Sequence, residues 1–161
     1  MKKLMAVSLL SLISSMTFAN TQNNAQPEQQ QAKQQPPIAV LRVFDTTNKE
    51  PKLLKGNALS RSKKRNLCLF ISNVEKLEQN LLAEYFKAPA AMKMNAEGAE
   101  IRSSADNKEH LVIFNLPKSA LEGDVITQCW QFAKTDPIGT YQLEIQFNET
   151  VFKGLSFRIL K

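Results

Sequence analysis

The chain has 161 residues, 43% apolar and 22% charged, with 21 basic against 15 acidic side chains and a formal net charge of +6. That length suits one domain with a real core and is too short for several. One histidine, two cysteines without a C-x-x-C spacing and five scattered glycines leave zinc binding, thiol redox catalysis and phosphate-cradling loops without their usual residues.

Residues 1–19 read as a secretory signal peptide of bacterial type. Lys2 and Lys3 form a charged head, Leu4 to Ile13 an apolar run broken only by serines, and Thr17-Phe18-Ala19 a small-residue cleavage site before Asn20. The run is shorter than the about 20 residues that a bilayer span requires. No second long apolar run follows, and no cysteine stands after the cleavage point to carry a lipid. A periplasmic or secreted protein is therefore expected, with no membrane span in the mature chain. Removing Lys2 and Lys3 lowers the net charge to +4.

Residues 20–37 are rich in Gln and Pro and almost free of apolar side chains. Such a stretch cannot offset the entropy of ordering itself, and a disordered linker is expected there, followed by one domain over 38–161. Ile38–Phe44, apolar and β-branched, predicts the first strand. Then comes a charge run: Lys49, Lys52, Lys55, Arg61, Lys63, Lys64 and Arg65 face only Glu50, so this segment alone is +6 and the rest of the mature chain about −2. Its Lys, Gly, Asn and Ser content predicts a loop between the first two strands. The charge suits an acidic glycan, anionic lipid or an acidic protein surface. A basic flank ahead of an apolar strand also works as a guard against aggregation, the blander reading of the same residues. Nucleic acid is not expected, because no aromatic side chain interleaves with the charge.

Asn66–Val74 is apolar on both parities, as in a strand packed on two sides. From Val74 to Phe86 the pattern is ambiguous. Val74, Leu77, Leu81 and Tyr85 recur at helical spacing, whereas Leu81–Ala88 also alternates as a strand. A short turn or helix over Glu75–Asn80 leading into a strand is favoured, with a full amphipathic helix as the alternative. Ala90–Ile101 reads as a loop or weak edge strand. His110–Leu116 and Val125–Ala133 are further strands, bounded by Asn-Lys, Pro117 and Gly123. In Thr140–Asn148, Tyr141, Leu143, Ile145 and Phe147 alternate with polar residues, and Val151–Leu160 returns as its hairpin partner. The alternation slips by one residue beside Gly154, which predicts a bulge. About seven short strands with turns at intervals near ten residues predict an all-β, antiparallel sandwich.

Trp130-x-Phe132, then Asp136-Pro137-x-Gly139-Thr140-Tyr141, the alternating strand and a last strand through Phe157-x-Ile159 resemble bacterial immunoglobulin-like domains. The resemblance covers about the last 35 residues. It implies an Ig-like β-sandwich and a tyrosine corner, in which the Tyr141 hydroxyl bonds backbone just upstream and Gly139 permits the sharp entry. One departure stands out. Antibody-type domains carry a cysteine two residues after that tyrosine, whereas this chain has Leu143 there and Cys129 one strand earlier.

In an oxidising compartment, Cys68 and Cys129 are expected to form one disulfide. With Asn66–Val74 as second strand and Val125–Ala133 as fifth, the bridge would join neighbours within one sheet rather than pin two sheets together. Trp130 is coupled to it. A lone Trp in a sandwich is usually core, but an inward Cys129 would turn Trp130 outward and make it a contact residue.

Catalysis finds little support. His110 reads as a surface or strand-end residue, no Gly-x-Ser-x-Gly elbow exists, and the carboxylate pairs Glu97/Glu100 and Asp106/Glu109 show no sign of burial. No metal or cofactor is expected. The sequence predicts a non-enzymatic binding or accessory protein of the bacterial envelope, acting by contact with an envelope or secreted protein as chaperone, inhibitor or adhesin. A glycan- or peptidoglycan-binding module using the basic segment is the alternative.

Overall fold

The computed structural model describes residues 35–161, so the signal peptide and all but the end of the Gln-rich linker lie outside the described residues. Ten strands follow: β1 (Ile38–Asp45), β2 (Lys52–Leu53), β3 (Ala58–Ser60), β4 (Arg65–Ser72), β5 (Gln79–Lys87), β6 (Ala99–Ser103), β7 (Glu109–Pro117), β8 (Val125–Gln131), β9 (Gly139–Phe147) and β10 (Thr150–Leu160). One 3-10 turn, Lys118–Ala120, is the only helical element among the described residues.

The strands make an all-β sandwich. One sheet has four strands in the order β2-β1-β4-β8, and the other six in the order β3-β10-β9-β5-β7-β6. The count exceeds the expected seven by three: the basic segment is not a plain loop but contributes β2 and β3, and the weak edge strand expected near Ile101 forms as β6. Pairing is antiparallel except between β3 and β10, which run parallel.

Alternation sets which side chains meet. Leu67, Leu69 and Ile71 of β4 and Ile126 and Trp130 of β8 face inward, against Leu82 and Phe86 of β5 and the Tyr141–Phe147 face of β9. Aromatic rings fill the centre: Tyr141 stacks on Phe157 at 4.8 Å, and Phe86 meets Trp130 edge-on at 5.1 Å. Such offset and edge contacts add about 0.5–1.5 kcal/mol each beyond simple burial.

The ambiguous stretch resolves as a turn and then the strand β5. Asn80 closes the turn by local bonds, its Oδ1 accepting from the Leu77 amide at 2.8 Å and its Nδ2 donating to the Leu77 carbonyl at 2.7 Å. That bonding competes with a helical ladder, and none forms. The β9–β10 hairpin stands as the alternation predicts. Asn148 takes a positive φ of 51° in its turn, and its Oδ1 accepts from the Leu81 amide at 3.0 Å, tying the hairpin to β5. The register shifts between Phe152 and Leu155, beside Gly154 at φ 75°.

The tyrosine corner is present. The Tyr141 hydroxyl donates to the Pro137 carbonyl at 2.8 Å, and burial pushes its pKa up. Gly139 enters the strand at φ 146°, where a Cβ would sit 2.8 Å from the Pro89 ring, so no side chain fits. Tyr141→Phe deletes only the hydroxyl and strands the carbonyl. A loss of about 1–2 kcal/mol is expected in chemical denaturation. An unchanged midpoint would show that the corner bond adds nothing.

Candidate binding surfaces

Cys68 and Cys129 are bonded and lie directly opposite each other on β4 and β8, so the bridge spans neighbours within the four-stranded sheet. It sits on the outer face, where Cys129 is exposed. That fixes Trp130 on the other parity: it is 7% exposed and packed in the core, which corrects its candidacy as a contact residue. The physical reason is the two-residue period of a strand.

The basic residues part company. Lys63, Lys64 and Arg65 line an open cavity of about 490 Å³ with Thr46, Asn66, Gln131 and Phe132. None of the three cations forms an ion pair among the described residues. Two buried atoms there, Arg65 Nε and Asn66 Oδ1, lack hydrogen-bond partners. Asp45 lies near: bonds from Thr47 hold its carboxyl below the usual range, and the charges of Arg65 and Lys63 add to this. Arg61 is spent elsewhere, its Nη1 donating to the Asp136 carbonyl in the loop before the tyrosine corner. Lys49, Lys52 and Lys55 are exposed and outside the cavity. The seven cations are thus not one site.

The outer face of the four-stranded sheet is unexpectedly apolar. Ile38 and Val125 are each 45% exposed and Leu53 54% exposed. Beside them Phe44 and Phe70 form a tilted ring pair at 6.0 Å, with Val40 opposite Phe70 across the strands. Arg42 adds positive charge to the same face, whereas Lys52, opposite Asp45, has the other parity. The double-parity apolar pattern of β4 was its sequence signal.

Two buried polar groups escaped the sequence reading or were misplaced by it. Glu84, on β5, is fully buried at 0% exposure between Val112 of β7 and Ile145 of β9. Its Oε2 accepts from Trp130 Nε1 at 2.5 Å across the sandwich, while Oε1 has no partner. Burial raises its pKa to about 7, against the smaller lowering effect of the Trp130 bond. The signal was present as Leu82-x-Glu84-x-Phe86, which places the acid on an apolar face. His110 is a strand-end residue but not a surface one, at 1% exposure. The ring donates from Nε2 to the Asn107 carbonyl at 3.1 Å and shares a hydrogen bond between Nδ1 and the Ser103 hydroxyl at 2.8 Å. It is a bracket for the β6–β7 turn. Among the described residues, no group of three or more His, Cys, Asp or Glu could hold a metal ion, and no helix is long and apolar enough to cross a membrane.

A family model described as PM0630 beta sandwich domain matches residues 39–160. The chain is similar to an uncharacterized protein of Pasteurella multocida (strain Pm70), with 53% identity over 161 residues and 100% of both chains covered. No solved structure matches.

Proposed function

The chain belongs to the PM0630 beta sandwich domain family, and on that premise we propose an exported, non-enzymatic binding or accessory protein of the bacterial envelope that works by protein–protein contact. The observation that carries this reading is the outer face of the four-stranded sheet. Exposed apolar patches on soluble domains mark contact surfaces, and this one gathers Ile38, Leu53 and Val125 around the Phe44–Phe70 pair. The Arg42 cation on that face favours a partner whose own apolar patch carries an acidic group. The Cys68–Cys129 bond fits a chain that folds outside the reducing cytosol, and the signal-like residues 1–19 support export to the periplasm or beyond.

A second reading has its own observation. Phe132 lines the cavity with Lys63, Lys64 and Arg65, an aromatic beside cations that form no direct ion pair among the described residues, as an acidic glycan would require. One experiment separates the two. The purified protein and the variants Phe70→Asp and Lys63→Glu/Lys64→Glu are used as bait on envelope extract and on isolated sacculi. Protein contact predicts a partner lost at least about tenfold with Phe70→Asp and retained by the charge variant, a shift of roughly 1.4 kcal/mol or more. Glycan binding predicts salt-sensitive sacculus capture with the opposite variant pattern. Recovery indifferent to Phe70→Asp would remove the first reading.

A further inference from the structure

β8 differs from every other sheet edge in this molecule. Among the described residues it pairs with β4 alone. The Cα atoms of Cys68 and Cys129 are 4.0 Å apart, the narrow spacing of an antiparallel pair that does not exchange backbone hydrogen bonds. The amide and carbonyl of Cys129 therefore point away from β4. By the two-residue period, so do those of Val125, Thr127 and Gln131. No backbone bond from any of these four reaches another described residue.

Protection is missing as well. Sheet edges are normally blunted by charge, proline, bulges or shortness. β6 carries Glu100 and Arg102, while β2 and β3 have only two and three residues. β8 reads Val-Ile-Thr-Gln-Cys-Trp-Gln, with no charge, proline or glycine, and its register with β4 is unbroken from Val125 to Gln131. Clefts of about 370 and 360 Å³ separate its two halves from the segments 120–122 and 95–97 and from β5 and β7 beneath, so neither segment is packed tightly along the strand.

We propose that β8 is a self-pairing edge, joining two copies of this chain through antiparallel β8–β8 contact with Gln128 on the two-fold axis. In that register Thr127 meets Cys129 of the second copy and Val125 meets its Gln131, so all four outward residues find backbone partners. The side chains name a second copy as occupant. The paired strands carry no like charges, and the chain just outside them is acidic at one end, with Glu122 and Asp124, and basic at the other, with Lys134. Antiparallel pairing about Gln128 brings Glu122 of each copy beside Lys134 of the other. The axis runs perpendicular to the sheet, so both outer faces look the same way. The four-stranded sheet doubles, and with it the apolar face.

Sedimentation velocity on the purified protein from about 5 to about 500 µM tests this, the range where small interfaces associate. A reversible monomer–dimer equilibrium is expected. Thr127→Pro removes an outward amide without touching the β4 ladder, and should weaken the dimer at least about tenfold. Thr127→Lys serves in its place if the proline variant does not fold by circular dichroism. Lys134→Glu should weaken it too, and adding Glu122→Lys should restore it, which only the stated register predicts. A protein monomeric throughout, a dimer indifferent to both Thr127 variants, or a charge swap without rescue would each overturn the proposal.

Discussion

Between about pH 5 and pH 8 the folded domain is expected to lose roughly 3 kcal/mol of stability, most of it through one side chain, Glu84. The acid ionises at an ordinary value of 4.5 when unfolded, but at about 7 in the fold, because burial disfavours its charged form. A raised acid stabilises least where the unfolded chain is ionised and the folded one must follow. Its cost begins as pH rises through 4.5 and is complete above about 7. Asp45, Asp106 and Glu109 are shifted the other way, so their effect falls at lower pH, outside this window. Urea titrations across the window should show the midpoint falling in the native protein and nearly level in Glu84→Gln. The amide keeps an acceptor for Trp130 and cannot ionise. Parallel curves for the two proteins would sink the assignment. Trp130 is the only tryptophan, so its native-state fluorescence should titrate with the same midpoint.

Removing the disulfide should cost about 4 kcal/mol. The bond closes a separation of 61 residues, and the chain-entropy argument gives that figure for a loop of this size, with less where the unfolded chain keeps structure. Cys129 is exposed while Cys68 is buried, so Cys68→Ala/Cys129→Ala adds a small packing loss at Cys68 to the larger effect of the freed unfolded chain. Guanidinium denaturation of the double variant and of the native protein with reductant should shift alike. A shift below about 1 kcal/mol in both would mean the β4–β8 pairing is held without the bond.

How much of this was legible depended on whether one physical rule acted alone. The β9–β10 hairpin could be read because four apolar residues alternate strictly and Gly154 marks the one slip. β5 was only the favoured of two readings, because Leu77, Leu81 and Tyr85 also suit a helix. The inward set is Leu82, Glu84 and Phe86, and a charged residue at its centre broke the apolar period that would have announced a strand. The basic segment was visible as charge, but charge says nothing of direction. Only the folded chain shows Arg61 bound to backbone, Lys63–Arg65 gathered and Lys49–Lys55 dispersed. The pairing of Cys68 with Cys129 followed from compartment and parity, while the side it faced needed the structure and settled Trp130 at once. The β8 edge was hidden because strand order, not sequence, decides which strands lack a neighbour.

The parallel strand β3 has a consequence in time. Ala58–Ser60 finds its only ladder partner in Arg158–Leu160, and the Ser60 hydroxyl donates to the carbonyl of Lys161, 101 positions later. At about 5–20 residues per second of synthesis, that segment waits on the order of 5–20 seconds for its mate. β4 and β5 likewise depend on β8 and β9, which are made long after them. The six-stranded sheet cannot close before β10 is made, and slow, non-local pairing follows even then. A fold whose larger sheet waits for β10 leaves the preceding chain threadable until that strand has been made.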